Sequence, residues 1–246
     1  MDTQPNILPG VHGLGIWAVN WYLVEDQGRL TAVDAGLPGF RSHLSDDLAA
    51  VGRSLSDVDA LVLTHADPDH VGLAAALQEA GARVLVSAGD EEMLRTGKRK
   101  STDGSPLELV NSLWRPSTYR FLYAFMRSAG SIKPTTVSGA ETFADGDVLD
   151  VPGSPRVVAT PGHTPGHCSL YFESHKALFV GDQMCSLNPL TGSREPQVMP
   201  PLMNTSTSES RESLARIEGL EADGVFFGHG EPWRGGVASV VARARN

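Results

Sequence analysis

Several short apolar runs in this chain stop at a cluster of histidine, aspartate and glycine, and that recurrence limits the folds open to it. The first is Leu61-Val62-Leu63, which runs into Thr64-His65-Ala66-Asp67-Pro68-Asp69-His70. The others lead into Thr160-Pro161-Gly162-His163-Thr164-Pro165-Gly166-His167, into Gly181-Asp182, and into Gly228-His229-Gly230. Brief apolar runs bounded by turn residues read as buried strands. Strands that each release metal-binding side chains into a loop must bring their ends together, so the pattern reads as one metal centre built from four strand ends.

The chain has 246 residues, 41% of them hydrophobic, which suits one large domain with a packed core. No apolar stretch approaches the length of a membrane span. Met1-Asp2-Thr3-Gln4-Pro5 lacks the basic and apolar regions of a secretory signal, and a cytoplasmic location is expected. Cys168 and Cys185 form no CxxC pair and read as small buried hydrophobes rather than a disulfide framework. The net charge of −9 argues against a general nucleic-acid binder. Lys98-Arg99-Lys100 reads as a solvated basic loop.

Strand-like runs cover Ile16 to Val24 and Leu30 to Val33, joined by a turn at Asp26-Gln27-Gly28 as an antiparallel pair. Helical spacing follows from Phe40 to Val51, a strand at Leu61 to Leu63, a helix from Val71 to Ala80 and a strand from Arg83 to Val86. The second half offers strands at Val148–Val151, Val157–Ala159, Ser169–Phe172, Ala177–Val180 and Val225–Phe227. Its helices are expected at Thr207–Leu220, capped by Ser206, and at Val237–Ala244. The expected fold is α/β (α+β): a four-layer αββα sandwich of two mixed sheets flanked by helices, as a single domain over 1–246. A helical insert at about 98–134 interrupts it. There Leu107, Val110 and Trp114 share one helical face, and Tyr119, Leu122, Tyr123 and Met126 another. Phe121 and Phe125 make the second helix apolar on two sides, which calls for two partners. Trp114, Tyr119, Tyr123 and Met126 are the candidates for a substrate pocket, with a homodimer through the insert as the other use of the surface.

Taken together, these segments resemble the metallo-β-lactamase superfamily, which includes glyoxalase II enzymes, lactonases and persulfide dioxygenases. The resemblance runs from Asp34-Ala35-Gly36 to His229, with the HxHxDH hallmark present as His65-x-Asp67-x-Asp69-His70 and the distant ligands as His163, Asp182 and His229. It implies a first metal on His65 and His163 and a second on Asp69, His70 and His229, with Asp182 bridging. Asp69 and His70 would belong to the catalytic machinery, and Asp34 and His167 would support the ligands from behind. Two divalent ions are implied, zinc foremost, with iron or manganese as options.

Position 67 departs from the hallmark, carrying aspartate where histidine is usual. Asp67 has two readings: a ligand of the first metal, or a helix cap ahead of Pro68. In the second case a single metal remains. The resemblance implies hydrolysis by a metal-bound hydroxide of an ester-like bond in a small molecule, such as a lactone or thioester. The alternatives are a mononuclear iron persulfide dioxygenase on His65, His163 and Asp182, and a catalytically silent binding protein on the same fold. The expected partner is a small-molecule substrate, with neither nucleic acid nor membrane.

Overall fold

The structure, a computed structural model, describes residues 2–99, 101–130 and 134–245. Strands β1 (Gln4–Leu8), β2 (Val11–Ile16), β3 (Val19–Asp26) and β4 (Arg29–Val33) form an antiparallel meander. The β3–β4 turn pairs Asp26 with Arg29 and places Gln27 and Gly28 at φ 49° and 78°. That left-handed pair is the primed turn that matches the twist of a hairpin, and glycine adopts it without steric cost.

Helix α1 (Leu44–Ala50) carries the chain over to β5 (Val58–Val62), and α2 (Ala74–Glu79) carries it on to β6 (Arg83–Ser87). β5 pairs in parallel with β4, and β6 with β5, as such crossovers require. Helices α3 (Glu91–Thr96), α4 (Pro106–Ser112) and α5 (Pro116–Ala129) precede β7 (Glu141–Phe143), which completes a seven-stranded sheet in the order β1 to β7.

The second sheet contains β8 (Arg156–Ala159), β9 (Cys168–Phe172) and β10 (Ala177–Gly181). A short hairpin, β11 (Met184–Cys185) with β12 (Gln197–Val198), and helix α6 (Thr207–Ser213) lead to β13 (Gly224–Phe227), and α7 (Val237–Ala244) follows. The sheet order is β13-β10-β9-β8, with β13 parallel to β10 and the other pairs antiparallel. β8, β10 and β13 therefore run in one direction.

Side-chain alternation builds the layers. Tyr22, Val24, Val33, Ala60 and Val62 from the first sheet meet Leu170, Phe172, Phe179 and Phe226 from the second in a shared core. The opposite faces are buried too. Leu23, Ala32 and Leu61 pack beneath Leu44, Leu48, Leu77 and Phe121. Leu178, Val180 and Val225 pack beneath Leu214, Val240 and Val241. Burial on both faces explains why these strands read as near-continuous apolar runs, and it gives the expected helix–sheet–sheet–helix order.

Some element expectations need correction. Val148–Val151 makes only an isolated bridge, Val148 to Arg156; Leu149 and Val151 reach the inter-sheet core without a ladder. The Phe40–Val51 helix is divided: a 3-10 turn over Pro38–Ser42 precedes α1, with His43 between them at φ −114°. The helix begun at Thr207 leaves α geometry after Ser213, whose hydroxyl donates to the Glu209 and Pro161 carbonyls and draws the chain toward the β8 loop. β1, β2 and β7 were not expected. Ile16 to Val24 is really the end of β2, a turn and most of β3.

Candidate metal centre

The carboxyl ends of β4, β5, β8, β10 and β13 meet along one edge of the sandwich. They place Asp34, the segment 64–70, the segment 160–167, Asp182 and His229 around one buried point. His65, His70, His163 and His229 are all buried, and each is held from behind through Nδ1. His229 Nδ1 donates to the Ala18 carbonyl at 2.6 Å. His70 Nδ1 donates to Asp34 Oδ2 at 2.8 Å. His163 Nδ1 lies 3.2 Å from Asn204 Oδ1, while Asn204 Nδ2 donates to the Met199 carbonyl at 2.7 Å and so fixes its oxygen as the acceptor. His65 Nδ1 lies 3.0 Å from the Thr64 hydroxyl, which donates to Asp34 Oδ2 at 2.8 Å. The four Nε2 atoms are thereby turned inward, the orientation that backing partners impose on metal-ligating imidazoles.

The carboxylates complete two clusters able to hold a metal: His65, Asp67 and His163, and Asp69, His70 and His229. Asp182 reaches both. Its Oδ2 lies 3.6 Å from His163 Nε2 and 3.1 Å from His229 Nε2, and its Oδ1 lies 3.5 Å from His70 Nε2. A third grouping, Asp34 with His65 and His70, is the backing network itself, since Asp34 is engaged by Thr64 and His70.

Orphaned atoms test whether a cation fits. His65 Nε2, His70 Nε2, Asp67 Oδ1 and Asp182 Oδ1 are buried without a hydrogen-bond partner among the described residues. Unsatisfied buried polar atoms are costly, and these four belong to the two clusters and to the Asp182 between them. Imidazole nitrogen with carboxylate oxygen is a donor set for zinc, iron or manganese.

The charges agree. Burial works against ionising Asp182, yet His229 and His70 hold its carboxyl well below the usual range. Burial likewise opposes protonation of His229, but Asp182 and Asp69 raise it to about 9. His65 is pushed well below its ordinary value by burial and by the neighbouring imidazoles of His70 and His163. His167 does not face the centre. Its Nε2 accepts the Asp182 backbone N–H at 3.1 Å and its Nδ1 bonds Thr160, while burial drives it down to about 3. It is a neutral strut that sets where Asp182 begins.

Asp67 does not cap a helix. The N-cap of α2 is Leu73, and Asp67 instead turns inward, its Oδ2 3.0 Å from His163 Nε2 and 3.1 Å from Arg99 Nη2. Burial opposes its ionisation, but His163 and Arg99 prevail and hold its carboxyl below the usual range. Arg99 is thus no free loop charge, with 29% of its side chain exposed and its head on a buried carboxylate. Lys100 lies outside the described residues.

Two other supports escape a reading of the sequence. Asn204 orients His163, as above. Asp90 accepts from Ala66 N at 3.2 Å, Thr164 Oγ1 at 2.6 Å and Gly166 N at 2.8 Å, tying the first two ligand loops together. An aspartate soon after strand β6 was its only signal. Gly228 matters by absence of a side chain: a Cβ there would stand 2.2 Å from Asp182 Oδ1 and 2.5 Å from His70 Cε1.

The insert is placed differently from the expectation. Phe121 of α5 is buried with its ring 5.8 Å from that of His229, whereas Trp114, Tyr119 and Tyr123 point outward and are exposed. Met126 is also exposed, but it lines a cavity beside the centre together with Pro68 and Phe125.

Known proteins resemble this chain in sequence and in fold. A sequence model of the metallo-beta-lactamase superfamily matches residues 14–229. A probable metallo-hydrolase, YflN of Bacillus subtilis, is 24% identical over 235 residues, covering 92% of this chain and 86% of its own. A hydroxyacylglutathione hydrolase of Stenotrophomonas maltophilia is 25% identical over 167 residues, covering 68% of this chain but only 46% of its own. Among solved structures, the metallo-beta-lactamase family protein TTHA1429 of Thermus thermophilus superposes with a TM-score of 0.64 at 25% identity, over 96% of this chain and 77% of that one. With a family match spanning the strand ends that carry the candidate ligands, this chain belongs to the metallo-β-lactamase superfamily.

Proposed function

We propose that this chain is a hydrolase with a binuclear metal centre, zinc foremost, that cleaves an ester-like bond of a small molecule such as a lactone or thioester. The observation that carries the reading is Asp182, whose two oxygens face histidines of both clusters. His65, Asp67 and His163 would hold one ion, Asp69, His70 and His229 the other, and Asp182 both. When bound, such ions supply the Lewis acidity that activates water at neutral pH and polarises a carbonyl. The chain itself contributes fixed geometry. Asp34, Thr64, Asn204 and the Ala18 carbonyl hold the imidazoles, so little reorganisation accompanies the reaction. Asp69, with 13% of its side chain exposed against 6% for Asp67 and 3% for Asp182, is the most open of the three carboxylates. The relative that is a hydroxyacylglutathione hydrolase supports the acyl class.

The test is turnover of a panel of lactones and thioesters by chelator-stripped protein before and after zinc is added. Zinc-dependent hydrolysis is expected. A reloaded protein with two ions that hydrolyses nothing in the panel refutes the reading.

The Arg99–Asp67 pair favours a second reading. If Arg99 keeps Asp67 from a metal, His65, His163 and Asp182 form a two-histidine, one-carboxylate iron face of the oxygenase kind. Oxygen consumption with a persulfide by iron-loaded protein separates this from hydrolysis.

A further inference from the structure

We infer that the substrate carries a linear apolar tail, and that the tail lies in a slot between α5 and the loops that bear the centre. The inference rests on the acyl-hydrolase reading and narrows its substrate class. The slot is a cavity of about 540 Å³ lined by Leu37, Pro38, Pro68, Phe125, Met126 and Ala129 among others. Its position ties it to the chemistry. Pro68 stands between Asp67 and Asp69, and Leu37 lies in the loop that starts at Asp34, so the floor of the slot is made by the loops that carry site residues.

The roof connects to the centre as well. Phe125 stacks on Phe121 at 6.1 Å between ring centroids, and Phe121 lies edge-on to His229 at 5.8 Å. Packed aromatic rings thus join His229 to Phe125 in the wall of the slot, with Phe121 buried between them.

The lining selects the ligand. Among the described residues no carboxylate borders the slot, and the one charged residue that does is Arg127, an exposed side chain whose guanidinium lies 3.4 Å from the Tyr123 hydroxyl. Apolar walls with few polar groups suit hydrocarbon. A larger cavity of about 770 Å³ is bordered by the loop 187–203, but Glu108, Arg115, Glu195, Arg211 and Arg243 interrupt its apolar wall of Leu190, Val198 and Met199 with charge. Each methylene moved from water into the slot is worth about 0.8 kcal/mol, or about a fourfold gain in binding.

The experiment has two arms. In the first, the zinc-loaded full chain is assayed on thioesters with acyl chains of increasing length. We expect kcat/KM to rise by up to about fourfold per methylene and then level off once the slot is filled. In the second, the metal-free chain is titrated calorimetrically with 1-alkanols, whose affinity should climb over the same lengths without any turnover. Ala129→Phe narrows the slot and should move the plateau to shorter chains. Met126→Asp, at an exposed position tolerant of charge, should weaken long alkanols more than short ones. Hydrolysis that ignores chain length, or alkanol affinities unchanged in both variants, overturns the inference. Length-dependent alkanol binding that both variants weaken, in a protein that turns over no acyl compound, upholds the slot while the hydrolase reading falls.

Discussion

Replacing Asp34 with asparagine changes a single group, yet it should reverse the proton on a residue of the centre. Asp34 Oδ1 accepts the Thr64 backbone N–H at 2.8 Å, and Oδ2 accepts from the Thr64 hydroxyl and His70 Nδ1, each at 2.8 Å. The residue sits at φ 58°, which asparagine tolerates as well as aspartate does, so the backbone is not strained by the exchange. The amide keeps its oxygen on Thr64 N–H, because the alternative sets two donors against each other. Its NH2 then faces His70 Nδ1 and donates to it. Nδ1 becomes an acceptor, the proton moves to Nε2, and Nε2 can no longer ligate. Losing the charge-assisted bonds should cost about 2 kcal/mol of stability, which for a chain of this size lowers Tm by about 4–8 °C. Metal affinity should fall by about 10- to 100-fold, the range found when a partner behind a metal-bound histidine is removed. Titrating the metal-free variant with zinc against a chromophoric chelator, with Tm recorded in parallel, measures both effects. A zinc affinity within about threefold of the parent, in a variant that is folded but less stable, would show that His70 does not ligate through Nε2.

Four further outcomes are expected. Gly228→Ala drives a methyl into Asp182 and His70, so the variant should lose zinc binding. Gly52→Ala, at φ 72° with open space around it, should bind zinc normally at a cost of about 1 kcal/mol; calorimetric zinc titration of both tests the contrast. Removing metal should lower Tm reversibly, since a ligand at 100 times its Kd adds about 2.7 kcal/mol; a scan before and after chelation checks this. Phe179→Ala removes a ring stacked on Phe226 at 4.9 Å in the inter-sheet core and should cost about 3–5 kcal/mol in urea unfolding.

Much of the centre was legible because its residues follow strands buried on both faces, which the sequence marks as apolar runs. The missing parts share a physical cause. Asp67 before Pro68 fits a helix cap and a ligand equally well, and the start of α2 at Ala74 removes the cap from the choice. Arg99 reads as solvated because a run of charges usually is; what it reaches depends on how the chain folds back. Periodicity grouped the apolar residues of α5 correctly but could not say which group faces inward. The structure buries Phe121 and leaves Tyr119 and Tyr123 exposed. β1 and β7 were missed because edge strands such as Gln4-Pro5-Asn6 and Glu141-Thr142 carry mostly polar, exposed side chains, and Ile7, Leu8 and Phe143 are too few to set an alternating pattern.

The decisive measurement is zinc content per chain by elemental analysis, after reloading, for the parent and for Asp67→Ala. Two ions are expected in the parent and one in Asp67→Ala, with the ion on Asp69, His70 and His229 retained. One ion or none in the parent, or two in the variant, would contradict a binuclear centre in which Asp67 holds the first metal.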